Sequence, residues 1–250
     1  MSTAVIAPVN PMSAEGKDTV MTVMRRDREK FTRMVSDPKN WNVDTRCTGW
    51  ETRDLVGHMI DVMEGYFKNW DAAVAGKDGT ALGLPVMGET LNDLTPEQWT
   101  SFLVYHPFAG PVPAGFYGTF QIMDYGVHPY DIEYGLGNKL ATIDEATAGL
   151  IWPFAFVFWQ YTVDETAAKG QDFTYGIQVD GPWGGKWRAT VKDGAWSAQP
   201  ESGNFEDCDA LIHFNNAADA VLTFFQRFPG GSASGDEEVI KAIRQLHFRF

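Results

Sequence analysis

The stretch CTGWETRDLVGHMIDVMEGYFKNW, residues 47–70, decides how the chain is read. After Trp50, its apolar residues Leu55, Met59, Val62, Met63, Tyr66, Phe67 and Trp70 recur at three- and four-residue steps, the period of one helix face. His58 falls on that face. An imidazole there needs a partner, because burying a polar group without a hydrogen bond costs ~1–3 kcal/mol. A second stretch, QIMDYGVHPYDIEYGLG at residues 121–137, supplies candidates. Asp124 and His128 are four apart, so on a helix both side chains leave one face about one turn from each other.

His58, Asp124 and His128 together offer two imidazoles and a carboxylate, a set that suits zinc or another divalent transition metal with positions left open. Asp131 lies on the same side as His128 and could orient that ligand from behind. Gly126 and Pro129 flank His128, and Pro129 cannot donate its helical hydrogen bond, so a kink or bulge is expected. The plainer alternatives are a core histidine bonded to a carbonyl, and an Asp–His pair on an exposed helix that is worth little. His106, in the Pro/Gly-rich segment HPFAGPVPAG, competes as a ligand, although nothing fixes its spacing to the others.

WNVDTRCTGWETRDLVGHM at residues 41–59, followed by DYGVHPYDIEYGLG at residues 124–137, resembles the DinB-like, mycothiol-dependent maleylpyruvate isomerase family of actinobacteria. The family pattern falls on Trp41, Gly49, Trp50, Arg53, Asp54 and His58, and then on His128, Asp131 and Gly137. The resemblance implies a metal-binding helix bundle with His58, Asp124 and His128 as ligands, and mycothiol as the thiol cofactor. Asp131 would act in support, and Arg53 would bind an acidic group unless it pairs with Glu51 or Asp54. Two positions depart from the pattern. Asp124 stands where Glu is usual, one methylene shorter, and Glu51 stands where Ser or Thr would cap the helix, which weakens the expected cap while still favouring the helix dipole.

At 250 residues with 44% apolar composition, the chain suits one or two domains with a real core. Its formal charge of −13 argues against nucleic acid, whose phosphates need a basic footprint. Two cysteines, Cys47 and Cys208, are too few for a disulfide framework and read as reduced thiols of a cytoplasmic protein. Residues 1–16 read as a loose, flexible arm with no basic start of the signal-peptide kind. The longest apolar run, residues 151–159, is far short of the ~20 residues that span a bilayer, so no membrane insertion is expected.

Helices are expected over residues 18–35, with the charges at 25–30 outward, over the stretch after Trp50 to about residue 75, and over about 116–136. Gly76 to Asp93 reads as a loop or lid. Thr95-Pro96-Glu97-Gln98 is a capping box that opens a short helix to Tyr105. A further helix starts near Ile143 and carries the aromatic run of Trp152, Phe154, Phe156, Phe158, Trp159 and Tyr161. These helices make an antiparallel bundle over residues 17–170, the kind of interior in which metal sites form. After Gly170 the pattern alternates at period two over residues 173–179 and 186–191, with turns at Asp180-Gly181, Gly184-Gly185 and Asp193-Gly194, which gives a small antiparallel sheet. With a strand at 210–214 and helices at 217–228 and 236–246, residues 171–250 read as a small α+β domain, and DCDALIHF at residues 207–214 followed by GGSASGDEEVIKAI at residues 230–243 resembles the sterol-carrier-protein type. The fold class is therefore α plus α+β.

The expected function is a metal- and mycothiol-dependent isomerase or S-transferase acting on a small electrophilic metabolite. Two alternatives remain open. One is a non-catalytic carrier of an apolar ligand; the other is a metal-free acid/base enzyme on the same fold that uses Asp124.

Overall fold

The computed structural model describes residues 6–76, 91–107 and 109–246. Most of the loop expected over Gly76–Asp93 lies outside the described residues. The chain divides into two compact units, Met1–Leu150 and Ile151–Phe250. The division falls inside a helix rather than near residue 170.

In the first unit, α1 (Lys17–Val35), α2 (Thr52–Val74) and α4 (Ala114–Gly135) are the long helices. Between the latter two stand α3 (Pro96–Ser101) and a hairpin of β1 (Leu103–His106) and β2 (Gly110–Pro113). The helix expected to reach Tyr105 therefore stops at Ser101. Val104 and His106 are buried while Tyr105 is exposed, a period-two pattern that an adjacent strand satisfies and a helix would not. Val104 pairs with Val112, and the prolines of β2 are tolerated because a two-stranded sheet has only edges.

α4 is buried on nearly every side, from Ala114 through Ile132, as a helix without a polar face must be. It continues through Pro129. It packs on α1, whose Val20, Val23, Met24 and Phe31 are buried as the pattern expects. Asp27, expected outward, is buried too. It accepts a hydrogen bond from Thr147 Oγ1 at 2.6 Å and pairs with Arg26 Nε at 2.9 Å, which meets the requirement that a buried charge be matched. Small residues let α4 come close to α3. The indole of Trp99, fully buried, lies over Gly115 and Gly118, and its Nε1 donates to the Pro11 carbonyl at 3.0 Å. Pro11, part of the arm expected to be loose, is thereby buried and tied down.

In the second unit, β3 (Asp172–Val179), β4 (Gly185–Lys192), β5 (Ala195–Pro200), β6 (Ala210–Phe214) and β7 (Ser232–Gly235) form one sheet in the order β5-β4-β3-β6-β7. It is mixed rather than purely antiparallel, since β3 and β6 run parallel. β7 is an exposed edge strand of sequence SASG, with no apolar alternation to announce it, and it reads in sequence as the lead-in to α8 (Glu237–Leu246). α7 (Ala217–Phe224) ends before the expected residue 228.

α5 (Glu145–Thr162) explains the position of the unit boundary. Beyond Leu150, its Trp152 meets Trp187, Phe214 and Phe224, with ring centroids 5.9, 5.9 and 5.0 Å away, and Phe156 lies 5.2 Å from Trp187. Trp152, Phe156 and Trp159 of the aromatic run are therefore core of the sheet unit. The short α6 (Glu165–Ala168) follows it.

At Gly118 an added Cβ would come 2.5 Å from Trp99 Cη2, so Gly118→Ala should lower stability by about 1–3 kcal/mol in chemical denaturation. Gly65→Ala, where a Cβ meets nothing, should raise it by about 1 kcal/mol.

Candidate metal centre

Two helices and one loop build the site. α2 is capped by Glu51, whose backbone N–H donates to Asp54 Oδ2 at 2.8 Å as one half of a capping box, so the acidic residue caps the helix in place of Ser or Thr. About two turns on, His58 points toward α4. From α4, Asp124 and His128 project one turn apart, both buried.

The loop before α2 folds back on the end of α4. Arg46 N–H donates to the Asp131 carbonyl at 3.1 Å, and the Asp44 carbonyl sits where a Cβ on Gly135 would be. Inside this loop Thr45 N–H donates to Trp50 at 2.9 Å and Trp50 N–H to Cys47 at 3.0 Å, with Gly49 at φ +83 closing the turn. The Gly-Trp motif is thus the hinge of a tight loop, and it delivers Trp50 against His58, ring centroids 5.4 Å apart.

One potential ligand atom from each of His58, Asp124 and His128 lies within 4.8 Å of the other two. His58 Nε2 and Asp124 Oδ1 are 4.0 Å apart, too far for a hydrogen bond. The two imidazoles meet edge to face, centroids 5.3 Å apart. Asp131, fully buried, sits behind His128 with Oδ2 3.0 Å from Nδ1. That leaves Nε2 as the ring nitrogen with a lone pair to offer, the usual tautomer of a carboxylate-oriented ligand. Cys47, His128 and Asp131 form a second group of metal-ligand types. Its atoms satisfy one another, since Cys47 Sγ donates to Asp131 Oδ2 at 3.2 Å. The first group contains no such closed set.

Other candidates stand elsewhere. His106 is buried and stacked on Phe120, centroids 4.8 Å apart, and belongs to neither group among the described residues. Arg53 pairs with Glu51, Nε to Oε2 3.1 Å, the local pairing weighed against a substrate role. Phe67, expected inward, is exposed. Tyr66, which sequence reading took only for core, has its hydroxyl pushed well above the ordinary range by burial and by the nearby Asp124 and Tyr117, so it stays protonated. The Cys47–Asp131 contact carried no sequence signal beyond the proximity of Cys47 to the Gly-Trp motif.

No protein-family model matches the chain, and no curated protein does. Among solved structures it is similar to a mycothiol-dependent maleylpyruvate isomerase, at 16% identity over 87% of this chain and 92% of that chain, with a TM-score of 0.48. It is also similar to the stereoselective inverting sec-alkylsulfatase Pisa1 from Pseudomonas sp., at 11% identity over 86% of this chain and 34% of that chain, with a TM-score of 0.33. Among the described residues, no helix is long and apolar enough to cross a membrane.

Burial lowers the His106 pKa from 6.5 to about 4, so folding favours its neutral ring. Its contribution to stability is full above pH 6.5 and is lost as the pH falls toward 4. Chemical denaturation at a series of pH values should therefore show a loss on the order of 3 kcal/mol across that window that is absent from His106→Phe.

Proposed function

We propose that His58, Asp124 and His128 hold a divalent ion, zinc in the first instance, and that the centre serves an isomerase or S-transferase using a small-molecule thiol and a small electrophile. The observation that carries this is the convergence of three ligand side chains from two helices within 4.8 Å, with the far nitrogen of one imidazole already tied to a buried carboxylate. The residues fit such an ion. Two ligands of one tetrahedral zinc stand roughly 3.3 Å apart, and the 4.0 Å between His58 Nε2 and Asp124 Oδ1 is about 0.7 Å wider, within reach of side-chain rotations. The shorter Asp124 is thus compatible with the ligand role that Glu has in the family pattern.

A divalent ion bound there would supply a thiolate at neutral pH, because coordination deprotonates a thiol. The sequence resemblance implies mycothiol as that thiol. Its sulfur would form a C–S bond to an activated double bond of the electrophile. Rotation and rupture of the same C–S bond return the thiol and an isomerised alkene with no net redox change; protonation of the adduct instead leaves a thioether, the transferase outcome. The chain's own part is positional. Asp131 fixes the His128 ring, Trp50 covers the edge of His58, and the burial of Asp124 keeps water from competing for its carboxylate.

Metal analysis tests this directly. The purified protein should contain about one equivalent of zinc, His58→Ala and His128→Ala should lose it, and Asp131→Ala should bind it ~10–100-fold more weakly. Unchanged zinc in His128→Ala would end the reading.

A second reading, carriage of an apolar ligand, is favoured by one cavity in the sheet unit, of about 120 Å³ and lined by Trp152, Trp159, Tyr175, Phe214, Phe224 and Ile243. It is smaller than the ~300–1,000 Å³ of most ligand pockets and suits a molecule of few atoms. Ligand uptake that ignores chelators would favour the carrier.

A further inference from the structure

The way into the centre has a chemical character of its own. Of the three ligand side chains, His58 is the most open, 31% exposed against 11% for Asp124 and 9% for His128, so access is past α2. In front of His58 lies an open depression lined by Gly49, Trp50, Arg53, Asp54, Gly57 and Asp61. Trp50 keeps 39% of its surface exposed beside the His58 ring, which leaves a flat apolar face at the mouth rather than in the core. Gly57 presents no side chain, and a Cβ there would touch nothing, so the floor stays low.

The charges point one way. Asp54 and Asp61 both face this depression, while the one guanidinium among its described lining residues, that of Arg53, is matched by Glu51 at 3.1 Å and also reaches Asn42 Oδ1 at 3.4 Å. The carboxylates of Asp54, Asp61 and Asp124 together outnumber the charge of a divalent ion held behind His58, so an approaching anion meets net repulsion, and no free cation of the described lining offsets it. Each such carboxylate within a Debye length of ~8 Å discriminates about threefold per unit of ligand charge. The exposed indole favours a flat or cationic face.

We propose that this mouth selects an electrophile with no net negative charge and a flat apolar part, seated against Trp50, and that Asp54 and Asp61 turn dianionic compounds away. This rests on the metal reading above, and names the substrate class for that site.

The full chain loaded with cobalt(II) gives the test, because a thiolate on cobalt produces a charge-transfer absorption that can be titrated. Thiophenol and 5-mercaptoisophthalate present the same ring and sulfur and differ by two carboxylates set away from the sulfur. Thiophenol should bind at least about tenfold more tightly. The gap should narrow at least about threefold in Asp54→Asn/Asp61→Asn and shrink as salt is raised. Trp50→Ala should weaken thiophenol about tenfold with the cobalt stoichiometry unchanged. Equal binding of the two thiols, or a gap that the double variant and salt leave alone, would overturn the proposal while leaving the metal site standing. A protein that takes up no cobalt would overturn the metal reading, and this one with it.

Discussion

A carboxylate with no exposure, Asp131, sits near the C-terminal end of a helix that is itself buried, and it accepts from two sides at once, His128 Nδ1 at 3.0 Å and Cys47 Sγ at 3.2 Å. A buried charge without partners would cost several kcal/mol. The surrounding chain is arranged to prevent that. The loop that carries Cys47 is tied to the same residue through its backbone, by Arg46 N–H on the Asp131 carbonyl. One residue thereby sets the tautomer and direction of the His128 ring and anchors the loop that places Trp50 beside His58.

The rest of the first unit keeps α4 where that interaction needs it. Trp99 lies over two glycines of α4, with its N–H bound to Pro11, so the helix is wedged by a rigid indole rather than by flexible side chains. Asp27 of α1, the helix that packs on α4, accepts from Thr147 at the start of α5, while Arg26 pairs with Asp144 at 2.9 Å. These polar contacts tie α1, on which α4 packs, to the start of α5. Sites on packed helices hold geometry better than sites on loops, and Asp124 and His128 sit on the most confined helix of the unit.

The second unit draws on different physics. Its core is aromatic, with Trp152 and Phe156 of α5 against Trp187, Trp196, Phe214 and Phe224, and a buried Trp196 N–H bonded to Tyr175 Oη at 2.8 Å. Ring pairs in edge-to-face contact add to the burial of area. The small cavity among these rings is a natural consequence of packing flat, stiff groups that cannot fill every corner.

Much of this was legible in one dimension, because helix periodicity, capping boxes and turn glycines act over a few residues. The spans of α1, α2 and α4, the Thr95–Gln98 start of α3 and the alternation of β3 and β4 follow from local rules. What stayed hidden depends on distant partners. The β1–β2 hairpin and the edge strand β7 exist because neighbouring strands supply hydrogen bonds, and the boundary inside α5 exists because its aromatic half finds a sheet to cover. At the centre, the four-residue spacing of Asp124 and His128 was fixed by the helix itself. The meeting of that pair with His58 and the grip of Asp131 on Cys47 were decided only by tertiary packing, since side chains some seventy to eighty residues apart meet through the docking of whole elements and not through any property of their own stretches.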